Sequence, residues 1–180
     1  AYPAATGSLR LFSIYQPDSI RSLWNTPNIL SQKLPAEEFT AKLKVTFNPK
    51  FTNERFGFVV FGTDYAYISI VKGEDGIYIV CEENLNADKK GKEEEGAIFP
   101  VKGNSIGLEV KIDNAGVCHF LYSEGDDKIM LIAKSFKAKP GRWVGAKLGI
   151  FCIRDNITND AGYADIDWFH VDKKSTMEKP

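Results

Sequence analysis

The chain of 180 residues sets 23 lysines and arginines against 24 aspartates and glutamates, with 43% hydrophobic residues and three cysteines. That length suits one domain with a sizeable core, and a net charge of −1 supplies no positive field to steer nucleic acid or an anionic membrane, so neither is expected as a partner. No run approaches the roughly 20 apolar residues of a membrane-spanning helix, no signal peptide is read, and the start at Ala1 suggests a processed protein or a piece of a longer one.

Leu9 to Phe12 is the first predicted strand, followed by a turn-rich piece ending Leu23-Trp24-Asn25-Thr26-Pro27. Trp24 is expected in the core, with a sugar platform as the alternative. Ile29 to Leu34 reads as a strand stopped by Pro35. From Phe39 to Phe47 the alternation is clean: Phe39, Ala41, Leu43, Val45 and Phe47 on one face, Thr40, Lys42, Lys44 and Thr46 on the other. One face is therefore core and the other water. Arg55 to Gly62 is apolar on both faces, as in the middle of a sandwich, with Arg55 at its mouth. Tyr65 to Val71 sets Tyr65, Tyr67 and Ser69 against Ile68 and Ile70, and Gly73-Glu74-Asp75-Gly76 turns the chain into a partner strand, Ile77 to Cys81.

The most charged segment, Asp88 to Glu95, is expected to be a solvated hairpin tip, a docking loop being the alternative. Strands follow at Ala97–Val101, Ile106–Ile112, Val117–Tyr122 and Ile129–Ala133, parted by turns at Asp113–Gly116 and Glu124–Asp127. Gly141 to Val171 then holds two longer strand patterns about an oxygen-rich loop, Arg154 to Gly162. In the first, Val144, Ala146, Leu148, Ile150 and Cys152 alternate with Gly145, Lys147, Gly149 and Phe151; in the second, Ala164 and Ile166 oppose Asp165 and Asp167. Beyond Asp167 the apolar positions move to Phe169 and Val171, which predicts a bulge at Asp167–Trp168. Short strands divided by Gly, Asn, Asp and Pro turns, with no helical period, make the chain all-β, a two-sheet sandwich or jelly roll. It reads as a single domain over 1–180, its core at about 8–172 and a frayed polar tail over 173–180.

Cys81, Cys118 and Cys152 each sit inside an apolar strand pattern, far apart in sequence, and are expected as buried free thiols rather than a disulfide or zinc site. His119 and His170 have no nucleophile motif beside them and are read as structural. No Gly-rich phosphate loop is present. Asp165 and Asp167 are two apart on one strand, a spacing that does not exclude the carboxylate pair of a glycoside hydrolase. Against that, neither has a desolvating neighbour in sequence, and a hydrolase draws its acid and base from opposite walls of a cleft. Asp155, Asn156, Asn159 and Asp160, with Asp165 or Asp167, offer oxygen ligands for a structural calcium, although turn formation alone accounts for them and no metal or cofactor is assigned. Carbohydrate binding asks for a groove, aromatic rings and planar polar groups. Arg55, Tyr65, Tyr67, Lys147, Asp165 and Asp167 have the parity to share an outward, concave, sugar-binding face, ion pairs on a solvated sheet being the alternative.

A G-R-W-x-G-A-K-x-G-x-F run over Gly141 to Phe151 and a Gly-Tyr-Ala-Asp-x-Asp-Trp-Phe run over Gly162 to Phe169 carry a resemblance. With Trp24 to Leu30, Pro35 to Thr40, Glu54-Arg55-Phe56-Gly57 and Asp64-Tyr65-Ala66-Tyr67, they resemble the C-terminal module of the β-xylosidase-type enzymes of glycoside hydrolase family 43. The resemblance implies a concanavalin A-like jelly roll of two antiparallel sheets. It also implies a non-catalytic role: supporting a separate five-bladed catalytic propeller, binding xylan- or arabinoxylan-type carbohydrate, or both. The implied partners are that carbohydrate and a glycosidase catalytic domain; the compartment is left unassigned by the sequence, a periplasmic or extracellular one being compatible with it. In some members an aromatic from the loop before the last strand reaches the active site. Here Arg154 to Gly162 has Ile157 as its one large apolar residue, so direct help with the substrate is not expected. An independent carbohydrate-binding protein and a small hydrolase using Asp165 and Asp167 are the alternatives.

Overall fold

The structure, a computed structural model, describes residues 2–3, 7–17, 19–20, 22–125, 129–142 and 145–173. The polar tail beyond Lys173, the Asp126–Asp127 part of one predicted turn, and Trp143 and Val144 lie outside the described residues. In chain order the strands are β1 (Tyr2–Pro3), β2 (Leu9–Phe12), β3 (Ile14–Tyr15), β4 (Leu30–Lys33), β5 (Phe39–Asn48), β6 (Arg55–Phe61) and β7 (Tyr65–Lys72). They continue as β8 (Ile77–Asn84), β9 (Glu93–Val101), β10 (Ser105–Ile112), β11 (Val117–Glu124), β12 (Met130–Lys137), β13 (Lys147–Arg154) and β14 (Tyr163–Lys173). Two single-turn 3-10 helices, Leu23–Asn25 and Ala87–Lys89, interrupt them. Among the described residues no helix is long and apolar enough to cross a membrane.

The strands form two sheets. The first runs β1-β2-β14-β5-β10-β11-β12, the second β3-β13-β6-β7-β8-β9, with β4 also paired to β13. Pairing is antiparallel except where Ile14 and Tyr15 lie parallel to Ile153 and Arg154. Strand β5 shows why the sheets stack: Phe39, Ala41, Leu43, Val45 and Phe47 are buried while the residues between them are half-exposed. They meet Phe56, Phe58 and Val60 of β6 and Ile68 and Ile70 of β7 in one continuous core. Each fully buried side chain of this size contributes roughly 1.5–3 kcal/mol.

Strand β6 is apolar on its other face as well, and for a separate reason. Val59 joins Leu23, Tyr65, Tyr67, Phe151 and Ile153 in a second cluster outside the sandwich, onto which Phe61, Trp24 and Ile29 pack. Rings stack in a column from Trp24 to Phe61 (5.5 Å), Phe61 to Tyr65 (5.6 Å) and Tyr65 to Tyr67 (6.2 Å). Gly57 leaves room for the Phe151 ring, which meets Tyr67 edge-on: a Cβ there would lie 2.2 Å from it. The segment around Leu23–Asn25 thus covers part of the second sheet's outer face, and Trp24 belongs to that cover rather than to an open platform.

The bulge falls where the sequence places it, with the β14–β5 register shifting between Ile166 and Trp168. It turns Phe169 inward opposite Leu43, its ring edge against Phe58, and leaves Trp168 outward opposite Lys44. The acidic run is different from the expectation. Glu93, Glu94 and Glu95 are not a hairpin tip but the start of β9, opposite Asn84, Glu83 and Glu82.

Candidate functional site

The uncovered half of the second sheet's outer face centres on Arg55, the first residue of β6. Its Nη1 donates to Glu82 Oε2 at 2.8 Å and to the Tyr67 hydroxyl at 3.0 Å, and the Tyr67 hydroxyl donates to the same Glu82 oxygen at 2.5 Å. Two residues before Tyr67 on the same strand, the Tyr65 hydroxyl donates to Glu93 Oε1 at 2.5 Å and accepts from the Leu23 amide at 3.0 Å and from Asn84 Nδ2 at 3.3 Å. Tyr65 and Tyr67 are buried, hydroxyl ends included, and those hydroxyls are taken up by Glu93 and Glu82.

This network borders a cavity of about 310 Å³ whose wall includes Gln16, Ser22, Arg55, Tyr67, Glu93 and Asp155. Burial acts on Arg55, Tyr65, Tyr67 and Glu93. It lowers the Arg55 pKa, but the charges of Tyr67, Glu82, Glu93 and Asp155 more than offset this, and the guanidinium stays charged well beyond its ordinary range. Burial, then the Glu93 charge, pushes the Tyr65 phenol up, and burial raises Tyr67 despite Arg55. Glu93 is raised by burial and by Glu82, against the lowering hydrogen bond from Tyr65. Chemically the cavity presents a fixed guanidinium fork, a phenol and carboxylates in a place sheltered from water. Such groups both donate to and accept from the hydroxyls of a polyol.

The six residues picked from parity do not share one face. Arg55 and Tyr67 line the cavity and Tyr65 reaches it through Glu93. Lys147 is on the same sheet but opposite Phe61 and Lys33, at the covered end. Asp165 belongs to the other sheet, where both carboxylate oxygens take 2.7 Å bonds from Arg10, whose guanidinium also lies 3.8 Å over the Tyr163 ring. Asp167 falls at the register shift and is exposed. Parity gives the side of a strand; it says nothing of which sheet the strand joins. The bulge also removes the shared alternation that made Asp165 and Asp167 a candidate acid–base pair, and Asp165 is committed to Arg10.

The oxygen-rich loop is held by its own side chains. Arg154 donates to the carbonyls of Asn156 and Thr158, each at 3.1 Å, and to that of Ser13, placing a guanidinium among the oxygens a cation would need. Asp160 pairs with Lys50 at 2.5 Å and Asp155 stands at the cavity. Among the described residues no three His, Cys, Asp or Glu converge as a metal site. Beneath the loop Glu54, fully buried, accepts from Ser13 Oγ at 2.6 Å and from the amides of Gly162 at 2.7 Å, Lys50 at 2.5 Å and Phe51 at 3.3 Å. Gly162 is required there, since a Cβ would meet Glu54 Oε2 at 2.1 Å.

Glu82 and Glu93 were not singled out from the sequence. Glu93 sits in a charge run that reads as a solvated tip, and Glu82 follows an apolar strand as an ordinary polar end. The available signal was Arg55 at the mouth of an otherwise apolar strand, since a largely buried cation implies a carboxylate nearby.

The chain is a two-sheet β-sandwich with a polar cavity on one outer face. A legume lectin-like domain of Entamoeba histolytica has the same fold, with a TM-score of 0.55 at 15% identity over 81% of this chain and 80% of that one. The family model for the β-xylosidase C-terminal concanavalin A-like domain matches residues 2–172, and this chain belongs to that family. It is 24% identical to a β-xylosidase of Formosa agariphila over 158 residues, 83% of this chain and 24% of that protein. The GH43 protein of Bacillus licheniformis has the same fold at a TM-score of 0.74 and 20% identity over 93% of this chain and 33% of that one. A bifunctional GH43-CE protein of Bacteroides eggerthii gives 0.78 and 18% over 93% and 21%. The chain thus spans about a quarter of the curated relative it matches.

Proposed function

We propose that this chain is the accessory module of a family 43-type glycosidase acting on xylose- or arabinose-containing polysaccharide, and that it holds carbohydrate in the cavity beside Arg55. The family and the β-xylosidase relative of Formosa agariphila support the first part. The observation that carries the second is the Arg55–Tyr67–Glu82–Glu93 set around a cavity of about 310 Å³, sheltered yet open to the surface. Its guanidinium is held in place by Glu82 and Tyr67, so little ordering remains to oppose binding.

Isothermal titration of the 180-residue chain with xylo- and arabinoxylo-oligosaccharides tests this. Binding is expected, and Tyr67→Phe, which removes one hydroxyl and keeps the ring, should weaken it about tenfold, the effect of roughly 1.4 kcal/mol. Affinity for these sugars that is undetectable, or unchanged in both Tyr67→Phe and Arg55→Lys, overturns the sugar-binding part.

A further inference from the structure

Arg55 borders a second hollow, of about 470 Å³, on its other side, with Asn53, Val71, Tyr78, Glu82 and Glu95 in its wall. The two hollows lie on one line across the sheet. Tyr78 pairs with Val71, Val71 with Arg55, Arg55 with Ile153, and Ile153 with Ile14. Directly opposed residues point to the same face, and strands are spaced by about 4.8 Å, so the part of the row that lines the hollows, from Tyr78 to Ile153, is about 14 Å long with Arg55 shared by both hollows. This is the length of a short oligosaccharide, well beyond one sugar ring.

The far end of the row is built. The Tyr78 hydroxyl donates to Asp75 at 2.6 Å, and the ring lies over the glycines of its own hairpin, where a Cβ at Gly73 would meet it at 2.7 Å. An aromatic ring fixed at one end, a guanidinium at the centre and a polar cavity at the other end form successive contacts for a chain lying across the strands. Glu74, Asp75, Glu82 and Glu95 on the second hollow repel an anionic sugar, leaving neutral chains as the ligand.

Resting on the carbohydrate reading above, we infer that the ligand is an internal stretch of a neutral polysaccharide laid across both hollows with Arg55 beneath it, rather than a single sugar or a chain end. Titration of the whole chain with xylose and with xylo-oligosaccharides of increasing length tests this. Affinity should climb over the first several units and then level. Tyr78→Ala should lower affinity for the long oligomers about tenfold, at the upper end of an aromatic contact, while leaving xylobiose unaffected. Tyr78→Phe keeps the ring and should retain the length dependence. A glucuronic acid-substituted xylo-oligosaccharide should bind more weakly than its neutral counterpart.

Equal affinity for xylobiose and the longest oligomer overturns the two-hollow site while leaving the Arg55 cavity standing. So does an unchanged long-oligomer affinity in Tyr78→Ala. If no xylose- or arabinose-based sugar binds, the carbohydrate reading itself falls, and this inference with it.

Discussion

Glu54 is fully buried and Glu93 half-buried, and their environments push them in opposite directions. Burial works to raise Glu54, but hydrogen bonds from Ser13, Gly162, Lys50 and Phe51 outweigh it and the folded pKa is lowered. The stability it contributes is therefore present above the unfolded value of about 4.3 and is lost as pH falls through the folded pKa. Glu54→Gln, which sets an NH2 group against amide donors, should cost about 2–3 kcal/mol in urea denaturation at neutral pH and flatten the acid limb of the stability profile. Glu93 is raised, first by burial and then by Glu82, so the folded chain binds its proton more tightly than the unfolded one. Its contribution is largest below about pH 4.3 and is lost as pH rises through its folded value, so Glu93→Gln should leave neutral-pH stability equal or higher. The cysteines, all buried and free, follow the same logic: burial pushes the Cys81 and Cys118 thiols up to about 12 and Cys152 higher still. Thiolate is the reactive form. None of the three should react with a thiol reagent in native buffer, and all three should react in denaturant.

At the scale of elements, the loop between β13 and β14 shows one charge of each sign collecting the backbone groups of several segments. Arg154 gathers carbonyls from Ser13, Asn156 and Thr158, and Glu54 gathers amides from Lys50, Phe51 and Gly162. Arg154→Lys cannot serve three carbonyls from one ammonium in the same geometry. It should lower stability by about 1.5–3 kcal/mol, as for the loss of hydrogen bonds to a charged group, and added calcium should not restore it, which thermal melts with and without the ion would show. The strand patterns were legible because one-sided burial writes a period of two into β5 and into the first half of β14, and the parity change at Trp168 recorded the bulge. The start of β9 was not legible. Glu93 to Glu95 carry no apolar alternation, and their strand character comes from pairing with Glu82, Glu83 and Asn84 on β8, information held in the partner strand.

Across the whole molecule, the sandwich could be read from the sequence because its core is set by local alternation, whereas the site could not, because it depends on which strands share a sheet. Asp165 has the right parity and the wrong sheet; Glu82 lacks any pattern and lies at 2.8 Å from Arg55. The same placement bears on catalysis. Glycoside hydrolysis needs two carboxyl groups facing each other across the scissile bond, one of them a free acid and the other a free base or nucleophile. Glu93 has a raised pKa and borders the cavity, but its Oε1 is engaged by Tyr65, while the Oε2 of Glu82 is held by both Arg55 and Tyr67. Asp165 is on the opposite side of the sandwich in a bidentate pair with Arg10. The purified chain should therefore release no nitrophenol from aryl-xyloside or aryl-arabinofuranoside above the buffer rate, at any pH from 4 to 8 in steps of about one unit that brackets the carboxylate range. Turnover that survives purification and disappears in Glu93→Gln, Glu82→Gln or Asp165→Asn would show that this module breaks glycosidic bonds, and the accessory role would have to be abandoned.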